Sequence, residues 1–299
     1  MSFSSNVKAE LCRSEVHRRC CALAEGCGVL LYCNAFTPEQ IRIVTESPDF
    51  ALRLPRLFRR AFSVSFDTMP ETPTAGKSVF LLTDPEKIAA VFRAIGAEPG
   101  GSLSLHINYA LLENDCCRNA FLRGAFLAGG SVTDPEKRYH LELATTHFKV
   151  SMEAFSLLLD LGFSPKDTMR NGSSILYFKQ SDSIEDFLTY LGAPISAMGV
   201  MEAKLEKDMK NHINRIVNCD NANTSKVVDA AQAQITAIRS LQERGLFDSL
   251  PEKLRCTAIL RLENPESNLA ELAALSDPPI TKSAVNHRLR KLTELSKEA

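Results

Sequence analysis

The stretch Phe121-Leu122-Arg123-Gly124-Ala125-Phe126-Leu127-Ala128-Gly129-Gly130-Ser131-Val132 carries the strongest architectural signal in the chain. Gly124 and Ala128 fall on one face, because positions four apart stand above each other on an α-helix. Small side chains on such a face let two helix backbones approach closely. An earlier segment, Cys20-Cys21-Ala22-Leu23-Ala24-Glu25-Gly26-Cys27-Gly28, offers a matching face in Ala24 and Gly28. The expected result is a pair of helices packed through these small residues. Gly129-Gly130 reads differently, as a helix end.

Working outward, a shift of 96 residues with no gap places Cys20-Cys21 on Cys116-Cys117 and Gly28 on Gly124. The same shift places Ile88 on Ile184, Ile95 on Leu191, and Gly96-Ala97 on Gly192-Ala193. Matches at both ends of a unit in one register indicate a duplicated module. Each copy opens with a small-residue helix, near Ser14 to Tyr32 and near Asn114 to Ala128. Alternating strands follow at Ile41 to Val44 and His140 to Ala144. A helix, a strand and a last helix complete each copy: Leu54 to Phe62, Ser78 to Leu82 and Pro85 to Ile95, against Val150 to Leu161, Ser174 to Phe178 and Ser183 to Leu191. Both last helices end at a glycine. The expected class is α+β, with two αββαβα-type repeats on a pseudo-twofold axis. Repeat one covers about residues 1–104 and repeat two about 105–197.

The 299 residues are 44% hydrophobic and 24% charged, which fits about two domains with real cores and excludes disorder throughout. No apolar run approaches the roughly 18 residues of a membrane span. The N-terminus lacks an apolar signal core, so a cytoplasmic protein is expected. The formal net charge of -1 means that nucleic-acid binding must come from local clusters. One such cluster is Arg53, Arg56, Arg59 and Arg60, which reads either as a phosphate contact or as a solvated helix face. The nine cysteines are odd in number, contain no CxxC, and lack zinc-type spacing to any histidine. They read mostly as small buried hydrophobes in a reducing compartment. No cofactor, metal site, small-molecule substrate or membrane partner is expected.

Strand-like alternation disappears after Met198. Met201, Leu205, Met209, Ile213 and Val217 recur at helical spacing and read as a core or packing stripe. The Asn-rich segment from Asn214 to Asn223 reads as a break, so residues 198–223 are expected to form a linker helix and turn. Residues 224–299 then form a helical domain, with helices near Thr224 to Arg244 and Leu250 to Leu262. A helix-turn-helix is expected over about 268–299. In its second helix Val285, Leu289 and Leu292 should point inward, and Thr281 can cap the helix. Lys282, Ser283, Asn286, His287, Arg288, Arg290 and Lys291 remain outside, and together with Thr281 they form the candidate DNA surface. N-terminal polar residues of a recognition helix reach base edges while Arg and Lys meet phosphates. Asn286 suits adenine, and Lys282 or Arg288 suits guanine.

The segment around Gly124 resembles the LAGLIDADG motif of homing endonucleases. In that family an acidic residue at the penultimate motif position of each helix holds the metals that cut DNA. The matching positions are Gly129 in copy two and, by the 96-residue shift, Cys33 in copy one. Neither is a carboxylate, and hard divalent cations need oxygen ligands. Glu25, Asp134 and Glu136 lie nearby but off the position. The segments CCRNAFLRGAFLAGGSV, NRIVNCDNAN and ITKSAVNHRLRKL together resemble the WhiA family of bacterial DNA-binding regulators. That resemblance spans essentially the whole chain. It implies a LAGLIDADG-like domain without endonuclease activity, followed by a helix-turn-helix with the main affinity for double-stranded DNA. It further implies a role in cell division, chromosome segregation or sporulation, with a nucleoid location. The alternatives left open are an active metal-dependent nuclease, and a scaffold that binds another regulatory protein through the repeat domain.

Overall fold

The structure is a computed structural model that describes residues 2–15, 18–71, 76–97 and 105–298. The chain divides into two compact units, Met1–Lys207 and Asp208–Ala299. The expected boundary between repeats, near residue 104, lies outside the described residues.

The first unit opens with helix α1 (Phe3–Arg13), which the sequence reading did not include. Ser2 caps it by accepting a hydrogen bond from the Ser5 amide, and Val7 and Leu11 bury one stripe. Copy one then runs α2 (Arg19–Leu31), β1 (Ala35–Phe36), β2 (Ile41–Thr45), α3 (Pro48–Phe62), β3 (Ser78–Leu82) and α4 (Pro85–Ala94). Copy two runs α5 (Asp115–Gly129), β4 (Gly130–Val132), β5 (Leu141–Thr145), α6 (Phe148–Asp160), β6 (Lys166–Arg170), β7 (Ser173–Phe178) and α7 (Ser181–Leu191). The mixed α+β class and the duplication stand as read. Two details differ. Helix α3 starts at Pro48, capped by Ser47, six residues before the expected Leu54, and it carries Pro55 inside it. Strand β6 is an added edge, exposed along its whole length, so it has no alternating burial to announce it.

Both sheets are antiparallel, in the orders β1-β2-β3 and β4-β5-β7-β6. Their central ladders share one register: Ile41 faces Leu82 and Thr45 faces Ser78, while Leu141 faces Phe178 and Thr145 faces Ser174. These pairs correct the ungapped shift. The second strand of each ladder keeps the 96-residue offset, but Ile41 and Leu141 stand 100 apart. Copy two has a longer β4–β5 connection and recovers the register before β7. In copy one the fourth strand shrinks to a bridge between Thr68 and Leu81.

Helices α2 and α5 cross at the centre of the unit. A Cβ added at Gly28 would lie 2.1 Å from the Phe121 carbonyl oxygen, and one at Gly124 2.1 Å from the Glu25 carbonyl oxygen. Phe121 and Glu25 are themselves related by the repeat shift, so the contact is a pseudo-twofold one. Each glycine touches the other helix's backbone, and a methyl group has no room at either position.

Helix α8 (Pro194–Glu243) begins in the first unit and ends in the second, as one unbroken helix of 50 residues. The turn expected at Asn214 to Asn223 is therefore absent. No glycine or proline occurs between Val200 and Arg244, so nothing stops the helix. Thr224 satisfies its hydroxyl by donating to the Asp220 carbonyl within the helix. The stripe of Met201, Leu205, Met209, Ile213 and Val217 is exposed, not core; Leu205 is 64% accessible. Helical spacing gives a stripe but does not supply a partner for it.

Substitution at the crossing should be costly. Gly28→Ala or Gly124→Ala is expected to lower unfolding free energy by about 3 kcal/mol in urea denaturation. Gly199→Ala, whose new Cβ would meet only Phe3 Cε2 at 3.6 Å, should instead be neutral or stabilising by up to about 1 kcal/mol.

Candidate nucleic-acid interface and the altered cation position

The second unit packs the end of α8 with α9 (Glu252–Glu263), α10 (Leu269–Leu275) and α11 (Lys282–Glu298). Its core contains Ile238, Leu241, Leu254, Ala258, Leu272, Val285, Leu289 and Leu292. Asn268 and Glu271 form a reciprocal capping box at the start of α10. Between α10 and α11, the Ile280 amide donates to the Ala273 carbonyl and fixes the turn. Thr281 starts α11, and its hydroxyl oxygen accepts from the Ala284 amide. The three apolar residues predicted to face inward are all buried. Lys282, Ser283, Asn286, His287, Arg290 and Lys291 are exposed.

Arg288 departs from that surface. It is half-buried, and its guanidinium donates to the Thr257 hydroxyl of α9 at 3.3 Å. A spacing of three from Val285 and one from Leu289 places it at the edge of the packed stripe. Arg290 stays outside, with Glu294 3.9 Å away one turn on. Buried Arg261 supports the turn from α9 by donating to the carbonyls of Asn264 and Ser267.

In the first unit, Cys33 and Gly129, the two positions that the motif resemblance and the repeat shift single out, sit at the C-terminal ends of α2 and α5. A Cβ at Gly129 would fall 2.4 Å from the Ala144 carbonyl oxygen and 3.1 Å from that of Tyr32. The Cys33 thiol donates toward the carbonyls of Leu30 and Ala35, and burial pushes its pKa up to about 12. A packed backbone on one side and a neutral thiol on the other do not fit a hard divalent cation. Asp134 is used locally, accepting from the Glu136 amide.

Glu25 is fully buried, and its carboxylate lies between two arginines from different copies. Arg53 of α3 meets it with Nε at 2.5 Å and Nη2 at 2.9 Å, and also donates to the carbonyls of Cys12 and Ser14. Arg123 of α5 meets it from across the helix pair, with Nη2 at 3.0 Å. Arg53 therefore leaves the proposed basic cluster for the interior. Arg56, Arg59 and Arg60 remain exposed on α3 and line a cleft of about 850 Å³.

Known proteins match both units. The model described as the WhiA LAGLIDADG-like domain matches residues 118–210, and that of the WhiA C-terminal HTH domain matches 213–296. A probable cell division protein WhiA of Ruminiclostridium cellulolyticum is 38% identical over 304 residues, covering 99% of this chain and 97% of that protein. One from Heliobacterium modesticaldum is 38% identical over 309 residues, covering 99% and 96%. The chain belongs to the WhiA family. Its fold is that of the full-length DUF199/WhiA crystal structure from Thermotoga maritima, with a TM-score of 0.61 at 23% identity, covering 100% of this chain and 99% of that one.

Within this WhiA protein, sequence reasoning missed the destination of Glu25, Arg53 and Arg123, since nothing in spacing joins residues so far apart. It also misread the cysteines. Cys27 and Cys117 are buried, but Cys20, Cys116, Cys219 and Cys256 are exposed. The available signal was the repeat itself, which carries one adjacent pair onto the other.

Glu25→Gln tests the buried ion cluster. Removing the charge leaves two enclosed guanidinium groups short of a counter-ion, so stability should fall by about 3–5 kcal/mol in chemical denaturation. Arg56→Ala, on the exposed side of α3, should change it by less than about 0.5 kcal/mol.

Proposed function

We propose that this chain is a sequence-specific DNA-binding transcriptional regulator involved in cell division, chromosome segregation or sporulation, with no endonuclease activity. Residues 224–299 supply the grip on double-stranded DNA, and residues 1–197 form the repeat domain. The observation that carries this reading is the two-sided character of α11. Val285, Leu289 and Leu292 pin one side into the core, and Ser283, Asn286, His287, Arg290 and Lys291 stand free of it. A helix held this way enters the major groove as a rigid rod whose N-terminal side chains meet base edges. Asn286 offers the donor and acceptor pair that matches adenine, and Lys282 donates toward guanine. Arg290 and Lys291, farther along, suit phosphate oxygens. The family name and its C-terminal HTH domain support this assignment. The altered positions at Gly129 and Cys33 support the absence of cleavage. Regulation inside the cell, at the nucleoid, follows from a DNA partner.

Arg288 has a mixed role in this scheme. Its hydrogen bond to Thr257 orients α11 on α9, so Arg288→Ala should weaken both folding and DNA affinity.

The test is DNA binding by the full chain to sites selected from genomic fragments. Asn286→Ala or Lys282→Ala should weaken specific binding by about 1–3 kcal/mol and relax base preference at one position. Lys291→Ala should weaken all sequences alike and reduce the salt slope by about 1. Unchanged affinity after loss of residues 281–291 would remove the assignment. In the same preparations, supercoiled DNA incubated with Mg²⁺ or Mn²⁺ should stay intact; metal-dependent nicking that persists through purification favours the nuclease reading.

A further inference from the structure

Helices α2 and α5 present the same start. Each has two adjacent cysteines as its second and third residues, Cys20-Cys21 and Cys116-Cys117, and neither has a side-chain cap. The pseudo-twofold axis of the crossing brings these starts together. All four sulfur atoms lie within 4.8 Å of one another. Cys21 meets Cys116 and Cys20 meets Cys117, while Cys20 and Cys21 stand 4.0 Å apart. Of the cluster, Cys20 is exposed and Cys117 is buried, so the group straddles the surface.

We propose that Cys20, Cys21, Cys116 and Cys117 form a four-thiolate site for one Zn²⁺ ion that joins the two repeats. The donor set is the soft, closed one of structural zinc sites. In a tetrahedral site with Zn–S bonds of about 2.3 Å, the sulfurs stand about 3.8 Å apart. The observed spacing reaches that with small side-chain rotations. It encloses a point, whereas an iron–sulfur cube needs its thiolates spread around a larger body. Zinc binds thiolate and displaces the thiol protons to solvent. Two helix N-termini direct their positive ends at the sulfurs, and the Arg18 guanidinium lies beside Cys116. The helix ends at Cys33 and Gly129 lack the chemistry for a hard cation, whereas the opposite ends collect the chemistry for a soft one.

The chelate would act as a clasp. The helix crossing depends on tight backbone contact, and a metal bound across its N-terminal end prevents the helices from splaying there. Zinc that binds the folded chain alone stabilises it by mass action.

The full chain, purified anaerobically with reductant, should carry about one zinc per molecule by elemental analysis. The stripped protein titrated with Co²⁺ should develop the intense visible bands of a tetrahedral site and thiolate charge-transfer absorption in the ultraviolet, saturating at one equivalent. Cys20→Ser with Cys117→Ser should abolish both, and Cys219→Ser with Cys256→Ser should leave them unchanged. Zinc removal by a chelator should lower the thermal midpoint by several degrees in the native chain and leave the Cys20→Ser, Cys117→Ser variant unmoved. Far-ultraviolet circular dichroism establishes that the variant is folded. Failure of the reduced, folded native chain to give the cobalt spectrum would overturn the proposal without a mutant being needed. Stoichiometric iron and sulfide in place of zinc, or two disulfides surviving in the reduced preparation, would overturn it equally.

Discussion

The backbone contact between Gly28 and Gly124 is the constraint on which the first unit depends. Two helices that touch through their main chains cannot slide or rotate without collision, because the neighbouring atoms are peptide groups and not pliable side chains. The side chains near the crossing are then held where that contact places them. Glu25 is delivered into a closed space and needs both Arg53 and Arg123 there. At one end of the pair, the Thr145 hydroxyl donates to the Leu31 carbonyl at 2.7 Å and ties the sheet of copy two to the helix of copy one. At the other end, two pairs of cysteines converge.

The second unit solves a different problem. It is small, and its apolar interior must hold α11 firmly while leaving most of that helix in water. The capping box of Asn268 and Glu271 and the Thr281 cap satisfy amides that would otherwise fray the two short ends. Arg288 adds a polar brace to α9 at the rim of the interior. Rigidity comes from the buried stripe and the caps, while specificity is left to the exposed residues.

Local signals in the sequence were legible where periodicity and punctuation agree. The small-residue helices, the central strands of both sheets, the inward stripe of α11 and its Thr281 cap all follow from residue spacing. The failures have physical causes. Strand β6 is exposed throughout, so its sequence carries no buried face. The Asn-rich part of α8 resembles a turn residue by residue, yet without glycine or proline the helix passes through it. The shift between copies was exact at both ends and displaced in the middle, where strand Leu141–Thr145 falls four residues later than the outer matches imply. Candidate site residues on one helix could be grouped by angle, and all but Arg288 lie on the expected side. The Glu25 cluster and the four sulfurs could not be grouped, because they are assembled only by the packing of separate elements.

The position of Gly129 also bears on how such a protein can change. An aspartate there would need its side chain to leave the backbone through a space already filled by the Ala144 carbonyl of β5 and the main chain at Tyr32. Placing a carboxylate here by one substitution is thus blocked by geometry, and the neighbouring strand would have to retreat first. Sequence drift can exchange the residues around this corner, but the closed packing keeps a carboxylate out of it.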